Sequence, residues 1–298
     1  MRQHVNGILL LDKPEGLTSN GALQRVKRLF NAKKAGHTGS LDPIATGMLP
    51  ICFGEATKFS QFLLQSDKSY YVTAKLGEET NTGDSEGHVT VTKPVVNVTA
   101  ERVNAVMLGF LGDIQQIPPM FSAIKMQGKP LYELARRGIE VKREPRLVTI
   151  FSLDLDEVFD DRISFRVHCS KGTYIRTLVE EIGRQLGCGA HVIGLRREKV
   201  SPYDQAAMHS WTELEAVVEN YGIEKLKTYL LPVETAVQSL PAVKLSTSAV
   251  FYMRMGQPVR APFPIVGSLV RLMSEDARFL GIGEVQADGM VKPQRLIA

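Results

Sequence analysis

The 298-residue sequence predicts a mixed α/β (α+β) chain with a small β-rich domain at its C-terminal end. Three observations carry that expectation. Ile163, Phe165 and Val167 alternate with Ser164, Arg166 and His168, the period-two pattern of a strand with one buried face. Residues 174–186 instead repeat their apolar side chains at helical spacing and end at Gly187. Past Leu231-Pro232 the chain turns to short apolar runs (269–273, 279–285 and 291–297) separated by Gly, Pro and Asp, which divides it into residues 1–239 and 240–298.

The remaining elements follow in order. Residues 7–11 read as a short buried strand. Thr18 and Ser19 are candidate N-caps for a helix carrying Leu23, Val26, Leu29 and Phe30. Residues 36–54 break every periodicity with Gly36, Gly39, Pro43, Gly47 and Pro50, and predict a long ordered loop, a kind that usually serves function. Residues 55–64 predict a helix with Phe59, Phe62 and Leu63 on one side, 70–76 a strand, and 81–87 a polar turn. Thr99 opens a helix striped by Val103, Val106, Met107 and Phe110. Pro118-Pro119 interrupts the chain, and 130–137 predict a short helix with Pro130 at its first position and Gly138 past its end. Ser210 caps a helix over 211–220.

Composition excludes several classes. With 44% hydrophobic and 23% charged residues the chain is globular, not disordered or coiled-coil. No apolar run approaches the roughly 18 residues of a membrane helix, so no membrane partner is expected. Cys52, Cys169 and Cys188 are an odd, unpaired set, which argues against a disulfide framework and for the cytoplasm. There is no phosphate-cradling Gly-rich motif, no C-x-x-C and no His pair at i, i+4. An enzyme of this sequence is expected to use no metal and no cofactor. The net charge of +4 is uneven. Residues 13–37 carry +5 (Lys13, Arg25, Lys27, Arg28, Lys33 and Lys34 against Glu15), residues 123–146 carry +4, and the remainder carries −5. Two basic stretches on an acidic body point to a polyanion.

The stretch 36–50 (GHTGSLDPIATGMLP) concentrates the chemistry. Its small residues allow close approach, and Pro43 fixes its own φ while restricting Asp42 to extended geometry. A stiff turn thus presents a single carboxylate, either as the cap of its own turn or as a reacting group.

That stretch closely resembles the catalytic motif of the TruB family of pseudouridine synthases. Further likenesses follow in order: residues 12–19 (DKPEGLTS), 69–72 (SYYV), 170–178 (SKGTYIRTL) and 194–197 (GLRR), with a C-terminal stretch similar to the RNA-binding PUA domain. The resemblance runs from about residue 5 to the C-terminus. It implies a mixed, mainly antiparallel central sheet flanked by helices, with a PUA-like module over 240–298. It implies isomerisation of uridine 55 in the T-loop of transfer RNA, by a monomeric enzyme without cofactor that grips the T-arm. Asp42 would be the catalytic carboxylate, ionised to attack C1′ or C6 or to promote a glycal-like intermediate. Arg176 would keep it charged, Tyr70 would stack on the base and remove the C5 proton, and Tyr174 would support the pocket. Leu195 would pack under the extruded base and His37 would fill its vacated place. Lys13 would contact a phosphate or support the loop. The basic insertion 115–146, with Arg136 and Arg137, would be a mobile segment closing over the RNA. The alternatives are an RNA-binding or tRNA-folding protein without catalysis, and a synthase acting on another RNA.

Overall fold

The computed structural model describes residues 1–126, 128–260 and 265–297. Gln127 of the expected insertion, and residues 261–264 and 298 of the expected C-terminal domain, lie outside the described residues. In chain order the elements are β1 (Gly7–Lys13), α1 (Ser19–Leu29), β2 (Ala35–His37), β3 (Thr46–Phe53), α2 (Ser60–Leu64), β4 (Lys68–Leu76), β5 (Glu78–Thr80), β6 (Val89–Thr92), α3 (Ala100–Leu108), β7 (Gly112–Gln116), β8 (Lys125–Met126), β9 (Lys129–Pro130), α4 (Leu131–Arg136), β10 (Arg146–Phe159), β11 (Arg162–Cys169), α5 (Ile175–Gln185), β12 (Ala190–Val200), β13 (His209–Ser210), α6 (Trp211–Tyr221) and α7 (Ile223–Leu226). The C-terminal part adds β14 (Ala242–Leu245), α8 (Thr247–Arg254), β15 (Val259–Arg260), β16 (Leu269–Ser274), β17 (Phe279–Val285) and β18 (Met290–Leu296).

Among the described residues the first part builds one nine-stranded sheet in the order β13-β1-β3-β12-β4-β11-β10-β7, with β2 also on β3. Most neighbours are antiparallel; β1 with β13 and β3 with β12 are parallel. One face carries Leu9, Leu49, Tyr70, Val72, Phe165 and Leu195 against the apolar sides of α1, α3, α5 and α6. On the other face a second buried cluster covers the β1–β3 end of the sheet, where Ile8, Leu10, Met48 and Cys52 pack with Phe59, Leu63, Val200 and Val237. The C-terminal part forms a separate five-stranded sheet, β14-β16-β17-β18-β15, over its own core. It also leans on that second layer: Ile282 joins the cluster, Phe279 meets Phe59 edge-on at 5.5 Å, and Lys58 Nζ donates to Leu296 O at 2.9 Å.

Four expectations need correction. The long loop over 36–54 is mostly two strands, β2 and β3. Nearly all of β3 is buried on both faces, so no alternation marks it. Its Pro50 lies where the neighbour changes: β2 pairs with residues 51–53 and β12 with 46–47. Residues 55–64 split into a 3-10 turn (Gly54–Lys58) and the short α2. Pro130 stands at the N-cap of α4, not inside its first turn. The largely β reading of 240–298 missed α8, which Ser246 caps by accepting the Ala249 N–H.

Candidate active site

The turn that presents Asp42 lies between β2 and β3 and is clamped on both flanks. Ser19 Oγ, at the start of α1, accepts the Leu41 N–H (2.7 Å) and donates to Leu41 O (3.0 Å). On the other flank Gly16 N (2.9 Å) and Lys13 Nζ (3.3 Å) donate to Pro43 O. Ala45 N closes the turn onto Asp42 O at 3.0 Å. Lys13 is fully buried, with its ammonium also on Pro14 O (2.9 Å) and Leu17 O (2.7 Å). Burial pushes that ammonium down to about 8, while nearby Asp42 opposes the shift. Of the two roles expected for Lys13, these three contacts favour the loop-holding one over phosphate contact.

Arg197 does the same from the sheet. Buried in β12, it donates from Nε to Met48 O (2.7 Å), from Nη2 to Gly39 O (3.1 Å) and from Nη1 to Ser40 O (3.4 Å). Gly47 pairs with it at φ +95°, and a Cβ there would lie 2.3 Å from Arg197 O, so glycine is required.

The carboxylate meets Arg176 side-on. Arg176 Nε lies 3.0 Å from Asp42 Oδ2, and Nη2 lies 3.5 Å from Oδ1. The rest of the fork is used as well: Nη1 donates to Thr82 O (2.8 Å) and Asp84 Oδ2 (3.3 Å), and Nη2 to Phe121 O (2.7 Å). Arg176 is 5% exposed, whereas 37% of the Asp42 side chain meets solvent in its recess. Burial raises the Asp42 pKa, the Arg176 guanidinium pulls it back, and Asp84 pushes it up again. One guanidinium therefore serves two carboxylates. Asp84, 2% exposed, is further held by Thr82 Oγ1 (2.6 Å) and Glu86 N (3.1 Å). The sequence reading marked 81–87 only as a polar turn and missed Asp84 as a member of the site.

Tyr70 lies opposite Arg197 across the β4–β12 pair, and Leu195 lies opposite Val72, so both project to the face shared with Leu41 and Ala45. Burial raises the Tyr70 phenol, and Arg197 offsets part of the shift; the group is neutral at pH 7. Burial and Arg197 both lower the His37 imidazole, so it too is neutral there. Its Nδ1 is buried without a partner. Tyr174 caps α5 and is gripped by the last residue of β7: Gln116 Oε1 accepts Tyr174 N (2.7 Å), and Gln116 Nε2 donates to Tyr174 O (3.0 Å). Arg136 and Arg137 are exposed at the end of α4, with Arg136 5.5 Å from the Tyr132 ring. They do not touch the Asp42 group, but their segment reaches it through Phe121 O. Among the described residues no three His, Cys, Asp or Glu side chains are grouped to hold a metal ion. No described helix is long and apolar enough to cross a membrane.

Comparison with known proteins agrees along the whole chain. Residues 27–175 match the TruB family pseudouridylate synthase (N terminal domain). Residues 176–238 match the tRNA pseudouridylate synthase B C-terminal domain, and 241–297 the C-terminal domain of pseudouridine synthase II TruB. The chain is 52% identical over 296 residues to tRNA pseudouridine synthase B of Coxiella burnetii (strain RSA 493 / Nine Mile phase I), covering 99% of this chain and 96% of that one. It is 53% identical over 297 residues to tRNA pseudouridine synthase B of Ectopseudomonas mendocina (strain ymp), covering 100% and 97%. Among solved structures it superposes on a chain of a Cbf5-Nop10-Gar1 complex with a TM-score of 0.76 at 27% identity, covering 98% of this chain and 85% of that one. A chain of an H/ACA ribonucleoprotein bound to a substrate RNA containing 2'-deoxyuridine gives 0.75 at 25% identity, with coverage of 98% and 85%.

Proposed function

We infer the function from one premise: this chain belongs to the TruB family of pseudouridylate synthases, and it is an isomerase that converts uridine to pseudouridine in transfer RNA. We further propose that its target is uridine 55 in the T-loop, gripped through the T-arm, and that Asp42 carries the chemistry. The reaction breaks the N1–C1′ bond, turns the base and joins C5 to C1′. No atoms enter or leave, and the proposed mechanism draws on no cofactor and no metal. Attack at C1′, attack at C6 and promotion of a glycal-like intermediate all need an ionised carboxylate. The contact of Arg176 Nε with Asp42 at 3.0 Å is the observation that carries this reading, because it opposes the burial that would otherwise protonate Asp42.

The uridine is extruded from its loop, at a stacking cost of a few kcal/mol. Tyr70 stacks on it, Leu195 packs beneath it, Tyr174 supports the pocket and the neutral His37 ring fills the vacated place. Overall one proton moves from C5 to N1. A neutral Tyr70 phenol carries this exchange by giving its own proton as it takes the other. Arg136 and Arg137 contact phosphates as the insertion closes. Residues 1–239 do the chemistry and 240–298 assist docking; the enzyme works as a monomer in the cytoplasm. The test is Asp42→Asn in single-turnover assays with enzyme in excess. The variant should fold, bind transfer RNA about as tightly as wild type, and form no detectable pseudouridine. Conversion at near wild-type rate, with deamidation back to Asp excluded by mass spectrometry, would falsify the assignment.

A further inference from the structure

α1 leaves the Asp42 turn at Ser19 and contains no acidic residue. It carries Arg25, Lys27 and Arg28, and Lys33 and Lys34 follow it. Among the described residues none of these five side chains makes an ion pair or hydrogen bond, whereas Arg176, Arg196 and Arg197 are all paired. Arg25, Arg28 and Leu29, at i, i+3 and i+4, share one side of the helix. With Trp211 and Glu215 of α6 they line an open cavity of about 480 Å³. Trp211, half-buried against the main core, is the one tryptophan of the chain. At 1.5 Å per residue the two arginines stand about 9 and 13 Å along the helix from Ser19. The cavity is thus outside the Asp42 group, yet on the same helix that holds its turn.

These side chains meet the separate needs of a nucleotide. Two unpaired guanidinium groups suit a phosphate, an indole face suits base stacking, and a carboxylate can accept an N–H from a base edge. We propose that the groove between α1 and α6 is a second RNA site, which takes an unpaired nucleotide of the substrate lying outside the modified arm. The proposal rests on the RNA-modifying function above. The occupant is argued from charge: five free cations, four of them exposed, lie on or just after a helix anchored at the reacting turn, and the family's substrate is a polyanion.

The lone tryptophan makes a direct probe. Wild-type protein is titrated with an unmodified transfer RNA transcript and with its isolated T-arm hairpin. Trp211 emission, filter retention and pseudouridine formation are followed in parallel. The transcript should quench Trp211 in step with binding, while the hairpin is bound and modified with little quenching. Arg25→Glu with Arg28→Glu should abolish the quenching and weaken transcript binding about tenfold. It should also flatten the dependence of log affinity on log salt by about one to two, with hairpin turnover unchanged. A transcript that is bound and modified without any change in Trp211 emission overturns the site and leaves the activity standing. Quenching that survives the double charge reversal, or that the hairpin produces in full, overturns it as well. A chain that binds no transcript overturns both readings.

Discussion

The Asp42 turn and the 115–146 insertion are both irregular and rich in Pro, Gly and cations nearby, yet the fold treats them in opposite ways. Around the turn three cations are buried and spent on backbone carbonyls or carboxylates: Lys13 on three carbonyls, Arg197 on three more, Arg176 on Asp42, Asp84 and two carbonyls. In the insertion Lys125, Lys129, Arg136 and Arg137 are exposed, and the segment is tied to the body through Gln116 at its root and Phe121 O on Arg176. The difference tracks two physical demands. A reacting group gains rate from being held still, whereas a surface that grips a bulky polyanion has to leave its charges free and let the polyanion in. On the proposed reading, the buried cations of the turn position the reacting group and the free cations of the insertion meet the RNA.

Arg176→Gln tests the buried side of that contrast hardest. It should cost about 10³-fold or more in single-turnover rate. In the proposed mechanism Asp42 acts ionised, so activity should be present above its pKa and be lost as pH falls through it. Burial already raises that pKa and Arg176 opposes the rise, so removing the guanidinium should move the acid limb of the rate profile to higher pH. Arg176→Lys should lie between the two, since the charge stays and the fork is lost. An acid limb unmoved in Arg176→Gln would break the link between burial and chemistry.

Lys13→Met should be next, at about 10- to 100-fold in rate, because the turn drifts when three carbonyls lose their donor. Its salt dependence of RNA binding should match wild type; a flattened slope would return Lys13 to phosphate contact. The exposed side behaves inversely. Arg136→Glu with Arg137→Glu should weaken binding about tenfold and flatten the salt slope by about one to two, while the rate at saturating enzyme stays within about threefold. The smallest effect is expected for Tyr71→Phe. Tyr71 points to the open face, where its hydroxyl donates to Asp156 at 3.1 Å and Arg166 lies 5.0 Å over the ring. Thermal unfolding should register a loss of about 1 kcal/mol or less, with turnover unchanged. A large loss of turnover would mean that the open face takes part in the reaction.

Much of this was legible in the residue order, wherever a local rule sufficed. Alternation over 163–167 gave β11, and Thr18, Thr99 and Ser210 capped the helices expected of them. Asp42 stood out because it is the one acidic residue in a stretch punctuated by Gly and Pro, a signal that is read locally. The parts decided only in three dimensions share one physical cause. β3 is buried on both faces and so shows no pattern, and β10 carries Asp154, Asp156 and Glu157 on a strand that alternation does not reveal. Asp84 joins the site across 92 residues, through a guanidinium it shares with Asp42. Lysines are rarely buried, and nothing local marks Lys13 as an exception. It is buried because the fold assembles the carbonyls of Pro14, Leu17 and Pro43 around one ammonium, satisfying a charge that no neighbouring stretch could satisfy alone.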